Sequence, residues 1–566
     1  MIKREEINLA DPKYHPGPKP VVTGKKAVCS TDNAIVTNTI LGVMKAGGNA
    51  ADAGIAGCMV QATIEPFMTN HTGTVTFLYY EAATGKTYQL DSTGTFPPDL
   101  PPFKPVPQMP SGYSAMPPSA CIPGFMPGLK EIHHRFGTQP WAALCEDAVY
   151  WAEAGHHVST FEYYVNAFGK DFVTYFPEGR KFYMPDGHMV PVGKRFSSSE
   201  MAQTLKRVAE AGPDYMISGQ WADKFVKKAN DMGWKITREH LTDATPPRWI
   251  EPLKFKHHEY EVVSLAPPQQ QGVFCAIVLG ILSQLGIRDL DPGSADAIYY
   301  MAHALRWAQQ QCGYLGDPQI EGVPLDELLD SRYHKFIAGI IQGARPKVDL
   351  TSHVAMTAIP GGMGGFTGTG GEPTGANSHQ DQPSGSCELS IVDTGGNWVQ
   401  MMNTLQSGGI PGMVIDGIPM VGSHASFNII NSPMDQKLVK GARMRTVMGN
   451  TIVFKDGKPC ISMGSPGNVH CTVPQVLTNV LDFKMTPYDA AAAPRLLNLG
   501  EDSSITIEDR VSPEALKALA ALGVKVRATP TWDMHMGSFQ MCWRDEATGG
   551  INTTVDPRRC GWADGF

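Results

Sequence analysis

The sequence lacks the features that mark several classes of protein. Its 566 residues contain no cluster of basic side chains and no acidic run, and the formal net charge of −8 is modest for this length. No apolar stretch reaches the roughly 20 residues that a membrane-spanning helix needs. No C-x-x-C pair suggests a zinc ribbon or a redox motif. We therefore expect neither nucleic-acid binding nor a membrane span.

The 11 cysteines are scattered along the chain. An odd number of cysteines, with a charged first segment that does not resemble a signal peptide, favours reduced thiols over a disulfide framework. We therefore expect a cytoplasmic protein. With 42% hydrophobic residues the chain can bury a large core, as two to four domains or as one large layered fold.

Helical and strand patterns come in blocks rather than in strict alternation. Helices are predicted over residues 37–44, 50–62, 128–136, 141–153, 198–211, 223–232, 272–285, 294–311, 325–342 and 470–481. Strands are predicted over residues 74–80, 86–91, 260–265, 398–404, 450–454 and 460–463. This order favours an α+β or layered sandwich fold over a doubly wound sheet.

The most informative stretch runs from Gly385 to Thr404. Ser386 begins an alternating apolar run, and Gly395-Gly396 predicts a hairpin turn before a second β-rich run. If the two glycines form a two-residue loop, Thr404 lies within one residue of the position opposite Ser386. A hydroxyl at the head of one strand would then face a hydroxyl on its neighbour.

A glycine-rich segment precedes this hairpin, and residues 360–385 are expected to form a mobile tail. A mobile tether that leads into a core strand suits a precursor that cuts itself. Cleavage between Gly385 and Ser386 would free the α-amine of Ser386, which can act as the base for its own hydroxyl. Cys387 is the competing nucleophile, although only the residue at the new terminus has this built-in base. On these residues alone, a flexible loop before an ordinary strand is the alternative interpretation.

The sequence offers no pattern for a metal or cofactor. Three histidine pairs consist of adjacent residues, which do not share one face of a helix as ligands would: His133-His134, His156-His157 and His257-His258. The glycine-rich segment lacks the Gly-Lys-[Ser/Thr] ending of a phosphate-binding loop. We therefore predict no metal site and no cofactor.

Distinctive short motifs are spread over most of the chain: Lys45-Ala46-Gly47-Gly48-Asn49, Ile122-Pro123-Gly124, Arg135-Phe136-Gly137, Ala266-Pro267-Pro268-Gln269-Gln270-Gln271-Gly272, Gly316-Asp317-Pro318, Gly464-Ser465-Pro466-Gly467, Ala493-Pro494-Arg495 and Asp556-Pro557-Arg558. In this order they resemble the γ-glutamyltransferase family of N-terminal-nucleophile hydrolases. The resemblance implies an α+β fold of four αββα layers and a small-molecule amide substrate. It also implies a precursor that cuts itself into a large chain (1–385) and a small chain (386–566), which stay associated in one fold.

The resemblance assigns catalytic roles residue by residue. Ser386 takes the nucleophile position, where the family usually has threonine, and loses only the methyl group that narrows χ1. Thr404 matches the second threonine, which hydrogen-bonds the nucleophile. Gly467 and Asn468 match the paired glycines whose backbone N–H groups form the oxyanion hole. Asn468 still supplies a backbone N–H, so the replacement does not remove this site.

The positions that clamp the substrate depart from the family pattern. In this chain Thr93 replaces the family's arginine that grips the α-carboxylate, and Pro433 and Gln436 replace the side chains that hold the α-amino group. Gln406 replaces an asparagine, Thr446-Val447 replaces a serine pair, and Glu388 replaces a histidine. Without this clamp a γ-glutamyl substrate loses charge-assisted hydrogen bonds of about 1.5–3 kcal/mol each.

Arg443 and Arg445 are the nearest replacement cations. At strand spacing the two side chains share one face. One of them could bind an acidic substrate, or the two could be a solvated surface pair.

Together these features predict a self-processing amidohydrolase or acylase that forms an acyl-Ser386 intermediate on a non-γ-glutamyl amide. A genuine γ-glutamyl transferase or hydrolase is one alternative, and an uncleaved, catalytically silent homologue is the other. The acyl group, the leaving group and association into a homo-oligomer stay open at this point.

Overall fold

The computed structural model describes residues 2–95, 122–232, 235–242, 246–345, 386–404, 412–420, 441–444, 446–497 and 503–566. Five of the predicted site residues lie outside this part of the chain: Gly385, Gln406, Pro433, Gln436 and Arg445. The predicted glycine-rich tail lies outside it as well.

The strands, numbered in chain order, are β1 (Val22–Gly24), β2 (Val28–Thr31), β3 (Thr74–Glu81), β4 (Lys86–Ser92), β5 (His156–His157), β6 (Arg195–Phe196), β7 (Arg248–Ile250), β8 (Leu253–His257), β9 (Tyr260–Ser264), β10 (Cys387–Val392), β11 (Trp398–Thr404), β12 (Met413–Ile415), β13 (Ile418–Met420), β14 (Thr451–Lys455), β15 (Lys458–Gly464), β16 (Ser504–Glu508), β17 (Lys525–Thr529), β18 (Gln540–Arg544), β19 (Ile551–Val555) and β20 (Trp562–Gly565).

Two seven-stranded sheets contain most of these strands. The first has the order β1-β19-β18-β15-β14-β9-β8, and the second has the order β20-β2-β10-β11-β3-β4-β7. The pairings that join neighbouring strands in both sheets are antiparallel. The proposed nucleophile hairpin, β10 and β11, therefore lies at the centre of the second sheet.

The α-helices are α1 (Ala34–Lys45), α2 (Ala50–Ile64), α3 (Phe125–Phe136), α4 (Trp141–Ala154), α5 (Thr160–Phe168), α6 (Lys170–Val173), α7 (Pro177–Tyr183), α8 (Ser199–Ala211), α9 (Asp214–Ile217), α10 (Gln220–Asp231), α11 (Arg238–Thr242), α12 (Gln271–Gln284), α13 (Ala295–Gln311), α14 (Leu325–Leu329), α15 (Ser331–Gly343), α16 (Val469–Leu481), α17 (Pro487–Ala492) and α18 (Pro513–Ala521). Within the described chain, none of them has the length and apolar character to cross a lipid bilayer.

The side-chain alternation of β10 shows how the layers stack. Leu389 and Ile391 belong to the hydrophobic core that includes α1 and α2, on the outer face of the second sheet. Ser390 points the other way, and its hydroxyl lies 2.8 Å from that of Ser462 in β15, across the gap between the sheets. Helix α16 packs Val473 and Leu477 into the core of the first sheet. The predicted α+β sandwich with four αββα layers is therefore confirmed.

The predicted helix over residues 325–342 is wrong as one element. The structure has two helices, α14 and α15, separated at Asp330, whose ψ of 124° is extended. The Asp330 side chain accepts a hydrogen bond from the Arg332 N–H and so caps the second helix. Aspartate competes with helix continuation by bonding to nearby backbone N–H groups, and the apolar spacing did not reveal this.

Candidate active site

The β10–β11 hairpin places Ser386 directly opposite Thr404. Cys387 pairs with Asn403 and Val392 with Trp398, so one more step in the register aligns Ser386 with Thr404. The loop is not the predicted two-residue turn. The Gly396 N–H donates to the Asp393 carbonyl, and Gly396 has a φ of +80°, which is the geometry of a three-residue hairpin loop.

The two hydroxyls form a hydrogen-bonded pair in the buried end of the hairpin. Ser386 Oγ donates to Thr404 Oγ1 at 2.9 Å. Both residues are buried, and their side chains lie on the face of the sheet that looks toward the other sheet. Cys387 points to the opposite face, where its Sγ lies 3.5 Å from Glu65 Oε2. Burial raises the pKa of the Cys387 thiol well above its usual range, which disfavours a thiolate there.

The loop from β15 to α16 carries the two residues assigned to the oxyanion hole. Gly467 has a φ of +80°, a conformation that favours glycine. Asn468 is at the N-cap position, but its side chain makes no capping bond to the helix and donates instead to the His535 carbonyl. Neither the Gly467 N–H nor the Asn468 N–H donates a hydrogen bond to another described residue. Two adjacent backbone donors at a helix N-terminus can therefore receive a negative oxygen.

Glu388 connects this loop to the nucleophile strand. Its carboxyl packs against Gly464, where an added β-carbon would overlap it, and its Oε1 accepts from Gln400 Nε2 at 2.6 Å. Burial raises the pKa of Glu388 well above its usual range, which disfavours the charged form. At this position a buried carboxyl therefore packs β10 against the end of β15.

Asp32 is a site residue that the sequence reasoning missed. It follows β2, and its Oδ2 accepts from the Glu388 N–H at 2.8 Å while Oδ1 accepts from Gln540 Nε2 at 2.8 Å. Burial, with the nearby Glu65 carboxyl, raises the pKa of Asp32 to about 8. Asp32 and Glu388 are 356 positions apart, so no local pattern could have paired them.

The predicted substrate positions Thr93 and Thr446 come together through Gln269. Gln269 Nε2 donates to Thr93 Oγ1 at 3.3 Å, and Thr446 Oγ1 donates to Gln269 Oε1. Thr93 Oγ1 also donates to Asp91 Oδ1 at 2.6 Å. These groups are buried and bonded to one another, so they form a closed polar cluster.

The sheet register separates this polar cluster from the nucleophile. Thr404 pairs with Thr74, and the register of β3 with β4 places Thr93 beside Thr74. Ser386, Thr404, Thr74 and Thr93 therefore lie in one row across four strands. Three strand spacings put Thr93 roughly 14 Å from Ser386. A long arginine side chain at position 93 could extend along this row toward Ser386, whereas the Thr93 side chain is too short to do so.

Arg443 is neither a solvated surface residue nor an unoccupied cation. It is buried, and its Nε lies 3.8 Å from Asp91 Oδ2. Its Nη1 donates to the Asp91 carbonyl at 3.0 Å, and its backbone N–H donates to Asp317 Oδ2 at 3.1 Å. The surface-pair interpretation is therefore wrong for Arg443, because the β4 carboxylate holds it inside the fold.

The side chains of one pair of adjacent histidines converge on the same carboxylate, which the sequence did not predict. His257 and His258 occupy the β8–β9 turn, where His258 has a φ of +54°, and each places Nε2 2.9 Å from one oxygen of Asp482. The premise that adjacent histidines diverge fails here because they lie on a strand turn, not on a helix. The prediction of no metal site is not tested by this cluster and stays a prediction.

Comparisons with known proteins find relatives over nearly the whole chain. The gamma-glutamyltranspeptidase family model matches residues 37–566. A glutathione hydrolase proenzyme of Pseudomonas aeruginosa is 28% identical over 91% of this chain and 90% of its own. An acylase ACY 1 proenzyme of Pseudomonas sp. (strain V22) is 23% identical over 94% of each. The crystal structure of a cephalosporin acylase from Bacillus halodurans superposes with a TM-score of 0.80 at 22% identity, over 99% of both chains, and shares the fold.

The family match covers nearly the whole chain, and the αββα layers bury a hydroxyl pair at the head of a central strand. The chain is therefore a member of the gamma-glutamyltranspeptidase family, an enzyme of the N-terminal-nucleophile amide hydrolase and acyltransferase type.

Proposed function

We propose that this enzyme is made as a precursor, cuts itself between Gly385 and Ser386, and then hydrolyses a non-γ-glutamyl amide. The observation that carries the proposal is the 2.9 Å hydrogen bond from Ser386 Oγ to Thr404 Oγ1 at the head of a central strand. Relatives named as proenzymes, among them the acylase ACY 1 proenzyme, support the precursor.

The first stage releases the nucleophile. Ser386 Oγ attacks the Gly385 carbonyl, and an N-to-O shift converts the peptide bond into an ester. Water hydrolyses this ester, which leaves a carboxyl group on Gly385 and both a hydroxyl and an α-amine on Ser386. The large chain, 1–385, and the small chain, 386–566, would stay together because β10 pairs with β2 on the large-chain side and with β11 on the small-chain side.

The second stage is acyl transfer. The Ser386 α-amine takes the hydroxyl proton as Oγ attacks the substrate carbonyl, and the amine of the substrate departs with a proton. The Gly467 and Asn468 N–H groups stabilise the oxyanion. Water then hydrolyses the acyl-Ser386 ester. The position opposite Ser386 lets Thr404 Oγ1 orient the attacking hydroxyl.

The proposed substrate is not a γ-glutamyl compound because the structure offers no guanidinium at Thr93, and the polar cluster of Thr93, Gln269 and Thr446 is closed. The names of several relatives favour a second candidate, γ-glutamyl hydrolysis, since they are glutathione hydrolases. Matched 4-nitroanilides decide between the two. A clear preference for butyryl or succinyl over γ-glutamyl supports our proposal, and a strong γ-glutamyl preference refutes it.

Self-cleavage is tested by denaturing electrophoresis. We expect two chains of about 40 and 20 kDa in place of the 61.3 kDa precursor, with Ser386 at the start of the smaller one. Ser386→Ala should remain a single chain, and Ser386→Thr, which keeps the hydroxyl, should cleave. Cys387→Ala is the matched control and should cleave normally. An uncut wild-type chain without turnover would instead identify a silent homologue.

A further inference from the structure

Arg559 is a buried arginine with two unused nitrogens. Its side chain is 1% exposed, and its Nε donates to the Met534 carbonyl at 3.1 Å. Neither Nη1 nor Nη2 has a hydrogen-bond partner among the described residues. A guanidinium carries five N–H donors, so burying it with most of them unused is costly unless an anion completes the site.

The neighbouring residue shows that this is not a general property of buried arginines in this fold. Arg558 uses all three of its nitrogens: Nε donates to Glu508 at 2.9 Å, Nη1 to Asp556 at 3.1 Å and Nη2 to the Ala493 carbonyl at 2.7 Å. The other described arginines with a buried, unpartnered nitrogen lack a partner only at Nε. Among the described residues, Arg559 is the only arginine with both terminal nitrogens buried and without a hydrogen-bond partner.

The unused nitrogens lie beside the proposed oxyanion hole. A β-carbon built on Gly467 would be 2.7 Å from Arg559 Nη2. Standard bond lengths then put the Gly467 nitrogen within roughly 5 Å of Nη2. The Arg559 guanidinium carbon also lies 5.1 Å from the centre of the Phe161 ring, within cation–π distance. The guanidinium is thus close both to an aromatic ring and to the loop that would bind the substrate carbonyl.

The nearby carboxyl groups do not occupy Arg559. Burial lowers the pKa of Arg559, and the charges of Asp32, Asp556 and Glu65 raise it. No ion pair within 4.0 Å joins any of these carboxyl groups to Arg559 among the described residues, and Asp556 pairs with Arg495 and Arg558 instead. Asp32 bonds to the Glu388 N–H and to Gln540. Glu65 accepts hydrogen bonds from two amide side chains of its own neighbourhood. Burial raises the pKa of both acids, and neither carboxyl forms an ion pair with the guanidinium.

We propose that Arg559 binds a carboxylate of the substrate next to the carbonyl that Ser386 attacks. This inference rests on the proposed function and names its substrate class. A carboxylate can accept two parallel hydrogen bonds from a guanidinium. The family's arginine, which Thr93 replaces, would bind a carboxylate in the same way from the other side of the row of Ser386, Thr404, Thr74 and Thr93. The carboxylate belongs either to the acyl group, as in a monoamide of a short dicarboxylic acid, or to the departing amine, as in an amino acid.

Two pairs of amides distinguish these sources. Succinyl and succinamyl 4-nitroanilide differ only by a carboxylate or a carboxamide in the acyl group. The butyryl amides of 4-aminobenzoate and 4-aminobenzamide differ in the same way in the departing amine. In the wild-type enzyme, kcat/KM should favour the carboxylate member of one pair by about 10- to 100-fold, the effect of one or two charge-assisted hydrogen bonds.

Substitution at Arg559 should remove this preference. Arg559→Met keeps an apolar stem without the cation, and its preference should fall to within about threefold of unity. Arg559→Lys keeps the charge without the planar fork and should retain part of the preference. Each preference is a ratio measured on one preparation, so a partly misfolded fraction cancels. No preference in the wild type, or a ratio unchanged in Arg559→Met, overturns the proposal. An equal loss for both members would assign Arg559 to the oxyanion and overturn it too.

The proposed function can fail in two ways that look different: a strong γ-glutamyl preference would show in the comparison of 4-nitroanilides, and a silent chain would hydrolyse no amide and carry no acyl group on Ser386. Binding decides the proposal in that case. Millimolar succinate should raise the Tm of the wild-type protein and leave that of Arg559→Met unchanged, with succinamide as the neutral control. A wild-type Tm that succinate does not raise would overturn the assignment of Arg559.

Discussion

The change Thr404→Val tests whether the hydroxyl pair orients the nucleophile. Valine has nearly the shape of threonine and the same β-branching, so β11 should keep its place in the sheet. It removes the oxygen that accepts from Ser386 Oγ at 2.9 Å. Because both side chains are buried, water cannot easily replace this acceptor.

The magnitude follows from the cost of an unmade buried hydrogen bond. Leaving a buried donor unsatisfied costs about 1–3 kcal/mol. If the whole cost falls on the reactive orientation of Ser386, the rate decreases roughly 5- to 150-fold, since 1.36 kcal/mol is a factor of ten. The Tm should fall by no more than about 3 °C, as the lost bond is a small part of the stability of a chain this long.

The assay has two readouts. Self-cleavage is followed over time by denaturing electrophoresis, and kcat for an acyl 4-nitroanilide is then measured per cleaved small chain. Thr404→Ser is the matched control, because it keeps the hydroxyl and loses only the methyl group. We expect it to stay within about fivefold of the wild type. Full activity in Thr404→Val, or equal losses in the valine and serine variants, would show that this hydroxyl does not orient Ser386.

The buried charges and the oxyanion loop give three further predictions. Because the pKa of Asp32 is raised, the folded chain binds more protons than the unfolded chain between pH 3.8 and about pH 8. The free energy of unfolding should therefore fall as the pH rises through this window. Asp32→Asn should flatten this pH dependence, measured by denaturant unfolding. Gly467→Ala combines a φ of +80° with a β-carbon 2.7 Å from Arg559 Nη2, so kcat should fall at least tenfold while the native circular dichroism spectrum persists. Asp556→Asn leaves the buried Arg495 without its carboxylate and Arg558 with Glu508 alone. It should lower the free energy of unfolding by about 3–5 kcal/mol, measured by urea titration. These predictions would be contradicted by an unaltered pH dependence in Asp32→Asn, by full turnover in Gly467→Ala, and by wild-type stability in Asp556→Asn.

The local sequence determined the secondary structure that carries the site. The alternating run after Ser386 and the Gly395-Gly396 pair predicted the hairpin because strand periodicity and turn chemistry depend on neighbouring residues. Helix α2 could be predicted because its signals are also local: Asn49 and Asp52 form a capping box at its start. The predicted cytoplasmic location and the division into two chains at residue 385 stay predictions.

Only the tertiary structure decided which charges are buried and what they contact. From the sequence alone, Arg443 could be either a substrate-binding cation or a surface cation. Its burial depends on Asp91, which lies on another strand. Asp32 and Arg559 carried no signal at all, because the residues that they meet in the site, Glu388 and Gly467, are distant along the chain. Desolvation and ion pairing depend on what surrounds a group in space. The sequence therefore predicted the hairpin, with a loop one residue too short, whereas the electrostatics around it came from the folded chain alone. The assignment of Ser386 as the nucleophile stays a prediction.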